Sequence, residues 1–254
     1  TNSNRIQQSS NVSGLMLGLL RTAPDFDGRD YRGTYTSSSG VEYVNRGRSY
    51  RKPIGRSENQ TYTNPLWTVN EQTANTKVNR ITVTPQLTIK PTNWFSIITR
   101  GNVDVADDKR TYFFPIGDAS SRAQGQFQED VIDIRNSTLD IIGKANFNLA
   151  DNINLTATAG WSYNDRKYNR ISGNITGFLV NSSKQTTALN TSAEASSFSN
   201  YRSFRRSNRG YGILNFDVND ELFVNVSGAL EASSTINGTF FYPAADVAWV
   251  VTER

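Results

Sequence analysis

The sequence predicts an all-β fold, a transmembrane antiparallel β-barrel, of which this chain is an incomplete segment of about seven long strands with long extracellular loops. Three observations predict it. Apolar and polar residues alternate over long stretches, most cleanly in "IIGKANFNLADNINLTATAGWSY", residues 141–163. A repeat of two belongs to a strand and not to a helix. The polar positions also carry full charges in mid-strand: Arg80, Lys90, Arg100, Asp104, Asp140 and Lys144. Finally, short turns alternate with long polar connections, the build of outer-membrane barrels.

The first strand pair is "VNRITVTPQLTIK" and the segment after "PTN". Ile81, Val83, Pro85, Leu87 and Ile89 share one face, opposite Arg80, Thr82, Thr84, Gln86, Thr88 and Lys90. Pro85 lacks a ladder donor, yet the alternation runs through it and the strand is kept whole. Phe95, Ile97, Thr99, Gly101, Val103 and Val105 then oppose Ser96, Arg100, Asn102 and Asp104.

The second pair flanks "ADN". Leu139, Ile141, Gly143, Ala145, Phe147 and Leu149 lie opposite Asp140, Ile142, Lys144, Asn146 and Asn148; Ile153 to Tyr163 repeats the pattern. The third pair puts Leu214, Phe216 and Val218 beside Leu222, Val224, Val226, Gly228 and Leu230. A seventh strand covers roughly 239–251. At about 14 to 20 residues, these strands far exceed the usual five or six.

The turns near Thr92, Asp151 and Asn219 are short, whereas the connections near 108–130 and 173–203 run to about twenty residues or more. Trp94, Trp161, Tyr163, Phe241 and Trp249 fall at or near strand ends, where a membrane-interface girdle lies. On this reading one face of each strand meets lipid, and the other faces a water-filled or plugged interior. The polar residues named above are then lumen-facing, and every backbone polar group pairs between strands.

Residues 1–77 read as an extracellular loop region with a short helix, and 78–254 as consecutive hairpins. Leu15–Leu20 forms that helix, with Asn11 or Ser13 as N-cap and Pro24 just past its end. Residues 22–64 are rich in Gly, Ser, Arg and Tyr and are expected to be irregular, with Pro65 and Trp67 anchoring the exit. Both termini look cut from something longer, and seven strands do not close the expected even-numbered barrel, so further strands are expected outside this chain.

Composition narrows the chemistry. The 254 residues are 36% hydrophobic, with no Cys and no His. Disulfides, thiolate sites, imidazole ligands and Ser/His or Cys/His nucleophile pairs are therefore excluded. The net charge of +4 is too weak and dispersed for a nucleic-acid partner. The dense run "RSFRRSNR", Arg202 to Arg209, reads as a solvated or lumen-facing strand end ahead of a phosphate site. Asp107-Asp108 and Glu129-Asp130 read as solvated charge rather than acid/base pairs. Catalytic and metal residues are assigned to none. Calcium held by loop carboxylates is conceivable, but no EF-hand-like spacing supports it.

The stretches "SNVSGLMLGLLRTAPDFD", "RSYRKPIG", "NPLWTVNEQTANTKVNRITVTPQLTIKPTNWFSI" and "RGYGILNFDVNDELFVNVSGALEASS", with "FFYPAADVAWVVTE", resemble the barrel region of SusC/RagA-type TonB-dependent outer-membrane transporters. The resemblance implies a 22-stranded barrel in the bacterial outer membrane. It implies an upstream plug, TonB coupling through the missing N-terminal part, and a SusD-like lipoprotein lid. It also implies import of glycans, oligosaccharides or peptides. Phe26, Tyr31, Tyr62, Tyr112, Phe113 and Phe114 are the candidate contacts to cargo or lid, because aromatic rings anchor interfaces. A passive porin or adhesin barrel without a plug remains open, as does a soluble β-sandwich binding module.

Overall fold

The computed structural model describes residues 2–4, 14–50, 62–179 and 195–251. The proposed caps Asn11 and Ser13, the part of "RSYRKPIG" beyond Tyr50, residues 180–194 of the second long connection and the last three residues lie outside them.

The elements in chain order are β1 (Asn2–Asn4), α1 (Leu15–Leu20), β2 (Arg32–Thr36), β3 (Glu42–Gly47), α2 (Pro65–Glu71), β4 (Thr73–Val83), β5 (Gln86–Ile89) and β6 (Phe95–Ile116). A single 3-10 turn, Ser120–Arg122, precedes β7 (Gln124–Ala150), β8 (Ile153–Thr176), β9 (Ser197–Val218), β10 (Leu222–Ser233) and β11 (Ile236–Trp249). The main sheet runs β1-β4-β6-β7-β8-β9-β10-β11, with β5 also pairing β6. From β6 onward each strand lies beside its sequence neighbour, and short turns join β7 to β8, β9 to β10 and β10 to β11.

Three expectations change. Pro85 does interrupt its strand: β4 ends at Val83 and β5 begins at Gln86. The proline carbonyl stays useful, accepting from Gly101 N at 3.0 Å. The connection near 108–130 is mostly strand, since β6 reaches Ile116 and β7 starts at Gln124. Ladder bonds continue there although the apolar alternation has faded. Residues 22–64 are not wholly irregular, because β2 and β3 form a hairpin.

The turns follow their residues. Asn219 and Asp220 both take positive φ, 59° and 57°, between β9 and β10. Glu221 N bonds back to Val218 O at 3.1 Å. That is the primed turn that suits strand twist, and Asn and Asp tolerate the left-handed conformation it needs. In α2, Pro65 sits in the first turn, and the Asn64 side chain accepts from Leu66 N at 2.9 Å. Both are standard helix-start devices. Gly18 in α1 has a packing reason, since a β-carbon there would stand 2.9 Å from Thr63 O.

The chain divides into two compact units. The first comprises residues 1–79, 107–132 and 170–201; the second comprises 80–106, 133–169 and 202–254. The first unit has a dry core. Phe113, Phe127, Ile175 and Phe178 form it, with Trp67 and Phe114 buried as well. The second unit is built otherwise. Among the described residues, Ala229 is its one buried hydrophobic. Its large apolar side chains are open, from Ile81 at 69% to Val247 at 67%.

Candidate functional site

Side-chain contacts fix the two faces of the second unit. Arg80 Nε and Nη2 each donate to Asp104 at 2.7 Å; Thr82 Oγ1 donates to the same carboxylate at 3.0 Å and Asn136 Nδ2 at 3.4 Å. Thr84 donates to Asn102 at 2.9 Å and Arg100 Nε to Gln86 Oε1 at 3.2 Å. Asn164 Nδ2 donates to Thr138 Oγ1 at 2.9 Å. The polar positions of β4 to β8 therefore lie on one side. Ile81, Val83, Leu87, Ile89, Leu139, Ile141, Phe147 and Trp161 lie on the other and are exposed.

The polar face carries a concavity of about 520 Å³, lined by Arg100, Asp140, Ser162, Arg209, Tyr211 and Tyr242 among others. Of the six polar residues singled out in the sequence, Arg100 and Asp140 meet here. Arg80 and Asp104 pair with each other. Lys90 and Lys144 are exposed and make no ion pair among the described residues. Sequence reasoning missed Tyr211 and Tyr242, which share the polar-face parity of Ile213 and Ala244. Charged forks, hydroxyls and two phenols can grip a polar solute or a protein surface. They include no nucleophile held by a base.

The first unit holds the aromatic candidates. Phe26 meets Tyr50 edge-on at 6.3 Å, and Tyr31 meets Trp67 at 6.5 Å. Arg21 stacks over Tyr62 at 5.3 Å. Tyr112 stands on β6 beside Arg110, partly exposed. Phe113 and Phe114 are 2% and 7% exposed. Phe113 stacks on Phe178 at 5.8 Å, and Arg122 covers Phe114 at 3.8 Å. Their rings thus serve the unit's own core, and Phe26, Tyr31, Tyr62 and Tyr112 keep accessible ring surface. They are spread over a loop, β2's approach, α2's approach and β6.

The carboxylates are less solvated than their sequence neighbourhood suggested. Asp108 is buried under Arg110, 2.6 Å away. Asp130 is 4% exposed and accepts from Ser172, Gln128 Nε2 at 3.1 Å and Arg170 Nη2 at 3.1 Å. Burial raises its pKa, and those hydrogen bonds together more than reverse the effect, so the net shift is downward. Asp118 behaves oppositely. It is fully buried between the 3-10 turn and α2, accepting from Gln72 Nε2 at 2.9 and 3.0 Å and from Ala119 N at 2.7 Å. Desolvation outweighs these bonds and pushes its pKa up to about 7. Burial likewise lowers the pKa of the neighbouring Arg122 guanidinium. Among the described residues, no three acidic side chains gather as a metal site would require.

No family model and no curated protein matches the sequence. Solved structures do. The chain is similar to the RagAB peptide transporter, with a TM-score of 0.64 and 13% identity over 72% of this chain and 21% of that one. The likeness shows the fold: an antiparallel sheet of long strands like the part of the RagAB chain it covers. The RagAB peptide importer in its "open-open" state gives 0.64 and 14% over 73% and 21%. In its "closed-closed" state it gives 0.64 and 15% over 86% and 26%. The chain thus spans about a fifth to a quarter of the length of the proteins it matches. The long antiparallel strands and their two-faced patterning are those of a barrel wall.

Proposed function

We propose that the chain is part of the barrel of a TonB-dependent importer in the bacterial outer membrane. In this reading it takes up glycans, oligosaccharides or peptides together with a SusD-like surface lipoprotein. One observation carries the reading: a likeness in fold to a RagAB chain, together with a unit whose apolar side chains are exposed on one face and whose polar face carries the Arg80–Asp104 pair. Water would strongly disfavour so much open apolar surface, and lipid would not. Because the RagAB structures are of a peptide importer, peptides are the first cargo to test.

TonB coupling would enter through a plug and TonB-binding segment outside these residues. Phe26, Tyr31, Tyr62 and Tyr112 are the proposed contacts to cargo or lid, and the concavity around Arg100, Asp140 and Tyr211 is a proposed seat for a plug or solute. The test is uptake of labelled oligopeptides by cells expressing the intact protein, with and without TonB. Uptake that vanishes without TonB supports the importer. Size-limited passage that persists without TonB overturns it in favour of a passive pore.

A further inference from the structure

The apolar face of the second unit ends abruptly. On β8 it runs from Ile153 to Tyr163, eleven residues, about the length a tilted strand needs to cross hydrocarbon. Trp161 and Tyr163 stack at its border, 6.2 Å apart with an 18° angle between rings. The next positions on that face are charged or polar: Asp165, Lys167 and Asn169. On β7 the same face passes from Leu139 to Ser137, Arg135 and Asp133. Contacts fix the parity, because Asn136 and Thr138 bond Asp104 and Asn164 on the opposite face. On β9 it passes from Gly210 to Asn208, Arg206, Phe204 and Arg202, with Arg206 bonded to Asp165.

This band holds four cations, Arg135, Lys167, Arg202 and Arg206, against two carboxylates, Asp133 and Asp165. Asp165 is shared: Arg206 Nε lies 3.0 Å from it and Lys167 Nζ 3.4 Å. Asp133 accepts from Asn169 Nδ2 at 3.4 Å. Arg135 and Arg202 are exposed and make no ion pair among the described residues. The arginine-rich run near residue 205 is therefore split by the strand. Arg209 lines the polar concavity, while Arg206 turns to the apolar side.

The geometry points to a binding site for the phosphorylated headgroup of an outer-leaflet lipid on this band, formed by Arg135, Lys167, Arg202 and Arg206 beyond the Trp161–Tyr163 pair. The inference rests on the barrel reading above. Stacked aromatic rings mark the level where acyl chains give way to headgroups. Uncommitted guanidiniums just beyond that level face anionic groups and grip phosphate oxygens with paired donors. Asp165 holds Arg206 and Lys167 close together, which pre-orders two of the four.

The test uses the intact protein in detergent micelles, titrated with bisphosphoryl lipid A and with the same lipid dephosphorylated, with and without excess inorganic phosphate. The expected result is binding at least ~tenfold tighter for the phosphorylated lipid. The double variant Arg135→Ser with Arg202→Ser loses about tenfold, and Arg205→Ser with Arg209→Ser loses nothing. Equal binding of the two lipids by the wild-type protein overturns the site, whether or not the variants fold. So does an unchanged affinity in the folded first variant. Displacement of the lipid by inorganic phosphate would overturn the headgroup assignment in favour of a soluble anion. Quenching of Trp161 by brominated acyl chains in zwitterionic vesicles, read as the difference between the wild-type protein and Trp161→Phe, separates the two readings. Absent quenching counts against the barrel itself, while quenching without headgroup selectivity counts against this site alone.

Discussion

The ring of Tyr211 on β9 lies over the backbone of Gly160 on β8, so closely that a β-carbon at residue 160 would overlap Tyr211 Cζ. Glycine here is a docking surface for a large ring on the polar face, not a flexible joint. Gly160→Val therefore forces Tyr211 out of place. Overpacking of this kind costs about 1–3 kcal/mol. Thermal unfolding of the intact protein in detergent is expected to show the loss. The double variant Gly160→Val with Tyr211→Ala should recover part of it.

Asp118 gives the first unit a pH dependence. Its folded pKa, about 7, lies above the ordinary value of 3.8. Between those values the folded state binds more protons than the unfolded one, so stability falls as pH rises through that window. The stabilisation is complete below about pH 4 and lost above about pH 7. Limited proteolysis within residues 117–123 should accelerate across that range. Asp118→Asn keeps an acceptor for Ala119 N and Gln72 without the charge, and is expected to flatten the profile.

Phe113 and Phe178 stack inside the first unit's core. Phe113→Ala should cost about 3–5 kcal/mol, the usual penalty for emptying a buried ring site. Tyr62→Ala should leave thermal stability nearly unchanged, because its partner Arg21 is exposed. Unfolding curves for the two variants, recorded side by side, separate a core ring from a surface ring.

The two faces of β10 predict opposite responses to charge. Val226 pairs with Leu214 and Ala245 on the apolar face, and its neighbour Asn225 donates to Asp246 on the polar face at 2.6 Å. Val226→Arg is expected to cost about 2–4 kcal/mol if the site lies near the bilayer centre. Asn225→Arg puts the same charge against water and should cost far less. Denaturant unfolding from lipid vesicles measures both.

The parts of this fold legible in the sequence are those where hydrocarbon imposes a rule. Ile153 to Tyr163 alternates because every second side chain is on the apolar face, so pattern alone set its register. Where that rule lapses, the strands became invisible. "DVADDKRTYFFPI" continues β6, but both of its faces carry polar residues, and a ladder needs no apolar pattern to persist. The β2–β3 hairpin was hidden similarly in a Gly- and Ser-rich stretch. Its Tyr35–Tyr43 stack, at 6.1 Å, is a cross-strand pair that a closer look at "GTYTSSSGVEYV" would have suggested. Phe113 and Phe114 read as surface aromatics because they follow charged residues. Only the fold brings Phe178 and Arg122 over them. Asp118 had no signal at all, since its burial depends on Gln72, which is 46 residues away.

These 254 residues contain no cysteine, so once any cysteines elsewhere in the intact protein are replaced, single-cysteine spin labelling tests the central claim. Labels placed one at a time from Ile153 to Tyr163 in the intact protein, reconstituted in lipid vesicles, report collision with oxygen, which favours lipid, and with a water-soluble nickel chelate. The account predicts strict alternation: odd positions accessible to oxygen, even positions to the chelate. Odd positions shielded from both reagents, as in a dry protein core, would contradict it.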